Sequence, residues 1–284
     1  MKYATIYAVN KNNYLHLRGL KSGGGSNNTS YQPIEFNEFG GLDTYKPGRW
    51  GESRTIDELS RTMQIQILDR RVTDFNSIDT NQDIGLINDD LSGLNELPDN
   101  IRDKIVFIRS NNDIDLTLTQ GTLPKNLKHL ELGWRFSNGA KPLEPNVLPP
   151  SLKYLELGWA FKNGDKPLTP NVLPRNLTHL ILGADFNNGG QYITRDVLSP
   201  NLTHLEFGFN FTNDHKPITR DDLPTTITHL VLGFNFNNGG EYLIKDILPP
   251  NLKYLAISYK FNKGGLPPTP DYLPLIFVVK SQWL

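Results

Sequence analysis

The chain has 284 residues, with 30 acidic against 29 basic side chains, so no broad positive field points to nucleic acid or an anionic lipid surface. It contains no cysteine, which excludes disulfides, thiolate zinc sites and cysteine nucleophiles. Hydrophobic residues make up 37% without the roughly 18-residue apolar run of a membrane span, and the polar-interrupted start MKYATIYAVN is unlike a signal peptide. An intracellular, non-secreted protein that binds neither membrane nor nucleic acid is expected.

Residues 1–95 read as a small α+β region. TIYAVN and YLHLRG flank Lys11-Asn12-Asn13 as a hairpin, followed by a glycine-rich loop at 23–28. Thr55-Ile56-Asp57-Glu58 has the form of a capping box, which starts a helix to about Arg70. Asp79-Thr80-Asn81-Gln82-Asp83 has the acidic spacing of a calcium loop, but Ile84 fills the glycine slot, so a polar turn is expected. This region is expected either to cap the first repeat or to form a separate docking module. In residues 96–122, Leu97-Pro98 opens a degenerate capping repeat, with Ile105 and Phe107 in the places of inward leucines.

From Leu123 the chain becomes periodic. The pairs Leu123-Pro124, Leu148-Pro149, Leu173-Pro174, Leu223-Pro224, Leu248-Pro249 and Leu273-Pro274 fall on a 25-residue lattice, with Leu198-Ser199 at the remaining node. Six copies fill residues 123–272, and residues 273–284 add a terminal strand. Counting the first Leu as position 1, the unit reads L-P-x-N-L-x-[HY]-L-x-L-G-x-x-F-x-N-G-x-x-P-L. L-x-x-L-x-L at this period is the leucine-rich-repeat signature. The expected fold is a leucine-rich-repeat solenoid, a parallel β-sheet of 25-residue repeats with few helices. Positions 8 and 10 point inward and positions 7 and 9 outward.

Phe136, Phe161, Phe186, Phe211, Phe236 and Phe261 occupy position 14, where the chain leaves the sheet. They are expected to stack from unit to unit as a buried spine. The glycine at position 11 is expected to let the backbone turn, and Asn138, Asn163, Asn188, Asn213 and Asn238 to hydrogen-bond turn backbone.

The phrases LGWRFSN, LGWAFKN, LGADFNN, FGFNFTN, LGFNFNN and ISYKFNK resemble the FNIP-repeat proteins, an FGxxFN-type branch of the leucine-rich-repeat proteins found in social amoebae and giant viruses. The resemblance covers 123–272 well, 97–122 loosely and 1–95 not at all. It implies an interaction scaffold located in a host cytoplasm or a virion if the source is viral. Some members carry an F-box before the repeats, which implies a ubiquitin-ligase adaptor, and LPDNIRDKI has the form of an F-box opening. An F-box needs some 40 residues, however, and LPKNL arrives after 26, which favours a capping repeat.

Position 7 holds His129, Tyr154, His179, His204, His229 and Tyr254, a ladder on the outer face that serves either as stacked rings or as a ligand stripe. A straight row lacks the convergence a metal needs, so no metal or cofactor is expected. Glu131, Glu156 and Glu206 stand at position 9, and Trp134 and Trp159 at position 12. Aromatics with a few charges on a sheet face are what interfaces are built from, so these residues are the candidate partner-binding set. With no nucleophile elbow, P-loop or HExxH motif, no catalytic residue is assigned and a non-enzymatic protein-binding scaffold is expected. A structural or virion assembly component is the alternative. The apolar LIFVVKSQWL at 275–284 leaves a solenoid end to be covered, by a second copy (a homodimer or larger assembly) or by the N-terminal region of a partner.

Overall fold

The computed structural model describes residues 63–69, 78–110, 115–258 and 261, with the backbone of strands at 5–10, 13–14 and 276–280. Twelve strands form one sheet: β1 Thr5–Asn10, β2 Asn13–Tyr14, β3 Gln66–Asp69, β4 Ile84–Asp89, β5 Ile105–Ser110, β6 His129–Glu131, β7 Tyr154–Glu156, β8 His179–Ile181, β9 His204–Glu206, β10 His229–Val231, β11 Tyr254–Ser258 and β12 Ile276–Lys280. From β3 to β12 each strand pairs in parallel with the next in sequence. β1 then pairs antiparallel with β12, and β2 with β1, so the order runs from β2 at one edge to β3 at the other. This is the leucine-rich-repeat solenoid that the periodicity implied.

The core runs the length of the coil. Leu130, Leu155, Leu180, Leu205, Leu230 and Leu255 at position 8 are buried beside Leu132, Leu157, Leu182, Phe207, Leu232 and Ile257 at position 10. Each such side chain stabilises by about 1.5–3 kcal/mol through burial. The position-14 rings lie parallel, with centroids 6.1 Å apart for Phe136–Phe161, 6.3 Å for Phe161–Phe186 and 6.2 Å for both Phe211–Phe236 and Phe236–Phe261. Phe207 stacks on Phe211 at 3.9 Å, where an aromatic replaces the inward aliphatic.

Asn138, Asn163, Asn188, Asn213 and Asn238 do more than stabilise their own turns. All are buried with positive φ, a conformation that asparagine tolerates better than most side chains. Each Oδ1 accepts from a backbone N–H one unit back: Leu118, Leu143, Leu168, Ile193 and Ile218, at 2.7–2.8 Å. The Nδ2 of Asn188 donates to the carbonyls of Gln191 and Tyr192, and the other asparagines make equivalent bonds. One side chain thus satisfies two return segments that have no strand partner.

The position-11 glycine has a different reason from the expected one. Gly158, Gly183, Gly208 and Gly233 do not have positive φ. A Cβ on any of them would overlap the carbonyl oxygen of the glycine one unit earlier. Close approach of neighbouring backbones, not turning freedom, requires glycine there. In the last copy Ser258 stands at this position, and β11 runs on through Ile257 and Ser258 to pair with Val279 and Lys280 of β12.

Four further expectations are corrected. The expected helix does not run on to Arg70: Met63 is helical, but Gln64 has φ 54°, and the alternating Ile65-Gln66-Ile67-Leu68 takes up strand β3 from Gln66. The stretch 55–62 lies outside the described residues. β3 and β4 join the repeat sheet, so the solenoid begins before residue 96 and the described part of 1–95 is no separate fold. A register shift at Ile105 leaves Val106 as an extra residue, so Phe107 pairs with His129 on the outer face and Ile108, not Phe107, takes the inward place beside Leu130. Finally, β1 of the same chain lies on β12, which covers the C-terminal end from within and places the N-terminal hairpin far from the first repeat. The Asp79 turn is polar: its carboxylate accepts from Asn81 and Gln82.

Gly208→Ala should lower stability by about 1–3 kcal/mol, because the extra methyl forces two backbones apart. Asn188→Ala should do so by a similar amount, since the Leu168 N–H is then buried unpaired. Urea denaturation of both variants checks this, and midpoints equal to that of the parent would refute the account.

Candidate interaction face

Strict register places equal positions of successive units side by side, so the outer face is striped. The position-7 stripe is a continuous stack of rings. It starts at Phe107, 4.8 Å from His129, and continues through His129–Tyr154 at 3.9 Å, Tyr154–His179 at 5.9 Å, His179–His204 at 4.0 Å, His204–His229 at 4.1 Å and His229–Tyr254 at 5.8 Å. His129, His179, His204, His229 and Tyr254 are only 1–8% exposed, and Tyr154 is half-buried. The ladder forms as a stack, and its rings present edges rather than faces.

Threonine at position 6 fixes the ring orientation in three units. Thr178, Thr203 and Thr228 donate their hydroxyl hydrogens to the carbonyls of Lys153, Thr178 and Thr203 at 3.0–3.2 Å. The same oxygens lie 2.8–2.9 Å from Nδ1 of His179, His204 and His229. With each hydroxyl hydrogen committed to a carbonyl, Nδ1–H must donate to the threonine, which assigns the tautomer and leaves Nε2 unprotonated. Burial, then the adjacent His179 and His229, push His204 down to about 2. Burial and Lys253 push His229 down to about 4.

The position-9 stripe reads Arg109, Glu131, Glu156, Ile181, Glu206, Val231 and Ala256. Arg109 pairs with Glu131, and Nε2 of His129 donates to the other oxygen of Glu131 at 2.8 Å. Burial opposes ionisation of Glu131, but the hydrogen bond and charge of His129, with Arg109, overcome it and hold this carboxyl well below the usual range. Glu156 has the opposite fate. Burial and the charge of Glu131 drive it up to about 8 against the hydrogen bond from the Tyr154 hydroxyl at 3.0 Å. Glu206 is buried, and burial raises the Tyr254 phenol.

The position-12 stripe lies where the strands turn out. Trp134 and Trp159 stack at 4.5 Å within 8° of parallel, and Trp134 is 46% exposed. Ala184 interrupts the row, and Phe209–Phe234 forms a second stack at 4.4 Å. The face therefore brings Trp134, Trp159, Glu131, Glu156 and His129 into the first two units, while Glu206 stands apart. Arg109 was missed in the sequence because the β5 bulge shifts it onto this row. The threonines were missed because position 6 is Lys in three units (Lys128, Lys153 and Lys253) and Thr in only the other three. Among the described residues no group of three or more His, Asp or Glu is placed to hold a metal ion, and no helix is long and apolar enough to cross a membrane.

Because Glu156 is neutral below about 8 and its unfolded counterpart ionises near 4.5, folding takes up a proton between these values. The Glu156 contribution is therefore greatest below 4.5 and declines as pH rises towards 8. Glu156→Gln should remove that decline and be more stable than the parent at pH 9, with no such gain at pH 5. Thermal melts across this range check the sign, and equal differences at both ends would contradict it.

No curated protein matches the chain. Among solved structures, CroV588 of a giant virus, described as a novel circular LRR protein, is similar at 28% identity with a TM-score of 0.42. The match covers 67% of this chain and 31% of that one, so this chain spans about a third of that protein's length. The family described as FNIP Repeat matches residues 116–159 and 165–189. The same Phe and Asn geometry continues through Phe236 and Asn238, beyond the matched residues. Residues 116–159 and 165–189 thus match FNIP repeats, and they are built into a leucine-rich-repeat solenoid.

Proposed function

We propose that the protein is a non-enzymatic scaffold that binds a protein partner through the outer face of the first two repeats. The observation that carries this reading is the stacked Trp134–Trp159 pair, with Trp134 46% exposed where most other large apolar side chains are buried. A rigid pair of indoles loses little side-chain entropy on contact and offers a large area, the usual make-up of an interface hot spot. Charged Glu131 and Arg109 and neutral Glu156 lie on the adjoining stripe and add polar specificity. The buried ladder, His129, Tyr154, His179, His204, His229 and Tyr254, supports the face from beneath more than it offers contacts of its own.

A ubiquitin-ligase adaptor is a narrower form of the same reading, which the capping-repeat geometry of 97–110 does not favour: only one helical turn, Asp99–Arg102, precedes β5. Assembly through the solenoid ends loses its main motive, because the C-terminal edge is paired with β1.

Affinity purification of the tagged chain from the cell that makes it, compared with Trp134→Ala/Trp159→Ala, tests the proposal. A defined partner should be retained by the parent and reduced at least about tenfold with the double variant, as for loss of a hot spot. Equal recovery of that partner with a folded double variant moves the binding surface elsewhere.

A further inference from the structure

Positions 16 and 17 read Asn138-Gly139, Asn163-Gly164 and Asn188-Gly189 in the first three units, and the pair returns as Asn238-Gly239 in the fifth. Asparagine before glycine is the dipeptide most open to deamidation, because no side chain keeps the glycine nitrogen away from the asparagine Cγ. The coil nevertheless demands both residues. Each asparagine serves two return segments. Gly164, Gly189 and Gly239 have φ of 60–63°, and a Cβ on any of them would stand 2.7–2.9 Å from the backbone of the preceding unit. We propose that Asn138, Asn163 and Asn188 are latent deamidation sites, each locked by the asparagine of the following unit, so that a lesion in one unit unlocks the unit before it.

The reaction needs only water. The glycine nitrogen attacks Cγ, ammonia leaves, and a five-membered succinimide closes. Water then opens either ring carbonyl, giving aspartate or isoaspartate, in which the main chain runs through the side-chain carbon. In the folded turn the amide is held at both ends. Asn163 Nδ2 donates to the carbonyls of Lys166 and Pro167 at 3.0 and 3.2 Å, and its Oδ1 accepts from the Leu143 N–H at 2.8 Å. Cγ cannot swing onto the Gly164 nitrogen without breaking these bonds.

The turn is then closed from the next unit. Its last residue, Leu168, donates its N–H to Asn188 Oδ1 at 2.8 Å. In the same way Leu143 closes the Asn138 turn through Asn163, and Ile193 closes the Asn188 turn through Asn213. Attack must pass through an opened turn, so its rate is that of the free dipeptide multiplied by the opened fraction. Isoaspartate adds a methylene to the main chain and exchanges the donating amide for an acceptor. It keeps neither the reach to the N–H one unit back nor the bonds to its own carbonyls. Because repeats contact only their neighbours, damage at Asn188 frees the Asn163 turn, and damage there frees the Asn138 turn. This inference does not depend on the proposed binding role of Trp134 and Trp159.

Peptide mapping by mass spectrometry after prolonged incubation of the full chain at neutral pH, with isoaspartate scored at each site, tests it. In the folded parent Asn138, Asn163 and Asn188 should deamidate at least about tenfold more slowly than in guanidinium chloride. Asn188→Ala should speed the reaction at Asn163 at least about tenfold, the lock being one hydrogen bond to a buried N–H, and leave Asn138 near the parent's rate. Asn188→Asp keeps an acceptor for the Leu168 N–H and should hold Asn163 near the parent's rate. If Asn188→Ala does not fold, Asn213→Ala repeats the test one unit on, with Asn188 as the accelerated site. Equal rates in the folded and denatured parent, an unchanged rate at Asn163 in the folded alanine variant, or equal acceleration at Asn138 and Asn163 would each overturn the proposal.

Discussion

Successive turns of this coil meet backbone to backbone at Gly158, Gly183, Gly208 and Gly233, where no side-chain atom fits. That contact sets the distance at which each unit follows the last. Only at that distance can Asn188 reach an N–H in the preceding return segment while bonding two carbonyls of its own. The phenylalanine spine and the ring ladder depend on the same spacing, because parallel rings in neighbouring units gain from contact only when nothing bulkier holds the units apart. Where the rule lapses at Ser258, the strand lengthens and the coil is closed by strands of another kind.

Perfect register has a consequence for the surface. Whatever side chain a unit places at a position, its neighbours place theirs directly beside it, so repetition of a charge repeats a repulsion. The position-9 stripe handles this by variation: arginine meets the first glutamate, the second stays neutral, and Ile181 and Val231 isolate Glu206. The position-7 stripe instead uses rings that stack while uncharged. Two neighbouring units therefore keep two glutamates in opposite states of ionisation with the same sequence, His/Tyr-Leu-Glu, around each.

Much of this was legible in the sequence, because the determining features are periodic. The 25-residue lattice, the inward leucines, the Phe spine and the stacked ladder all follow from counting positions. What could not be counted was lost. The bulge at Val106 changes which residues of β5 face inward, and no local residue type announces it. The capping-box pattern at Thr55 suggested a helix to about Arg70, but alternating isoleucines were claimed by an existing sheet edge, and tertiary pairing outweighs local propensity. The glycine was recognised as necessary but for a local reason, whereas its constraint comes from a residue 25 positions away. Within the candidate face the Trp pair and glutamates were visible, but Arg109 and the threonine anchors were not, because one needed the register and the others a hydroxyl's single hydrogen.

The pairing of β1 with β12 orders events in time as well as space. Thr5 pairs with Val279 across the whole run of repeats, so every repeat must be made before these two strands can meet. Until then the apolar residues of β1 wait without their partner, and the growing coil ends in an open edge after every unit. Local contacts between adjacent repeats can form as each unit emerges, but this closure joins strands on either side of all the repeats and must be the slow step. A nascent chain stalled anywhere in the repeats would expose two unsatisfied strand edges at once, and such edges find each other between molecules as readily as within one.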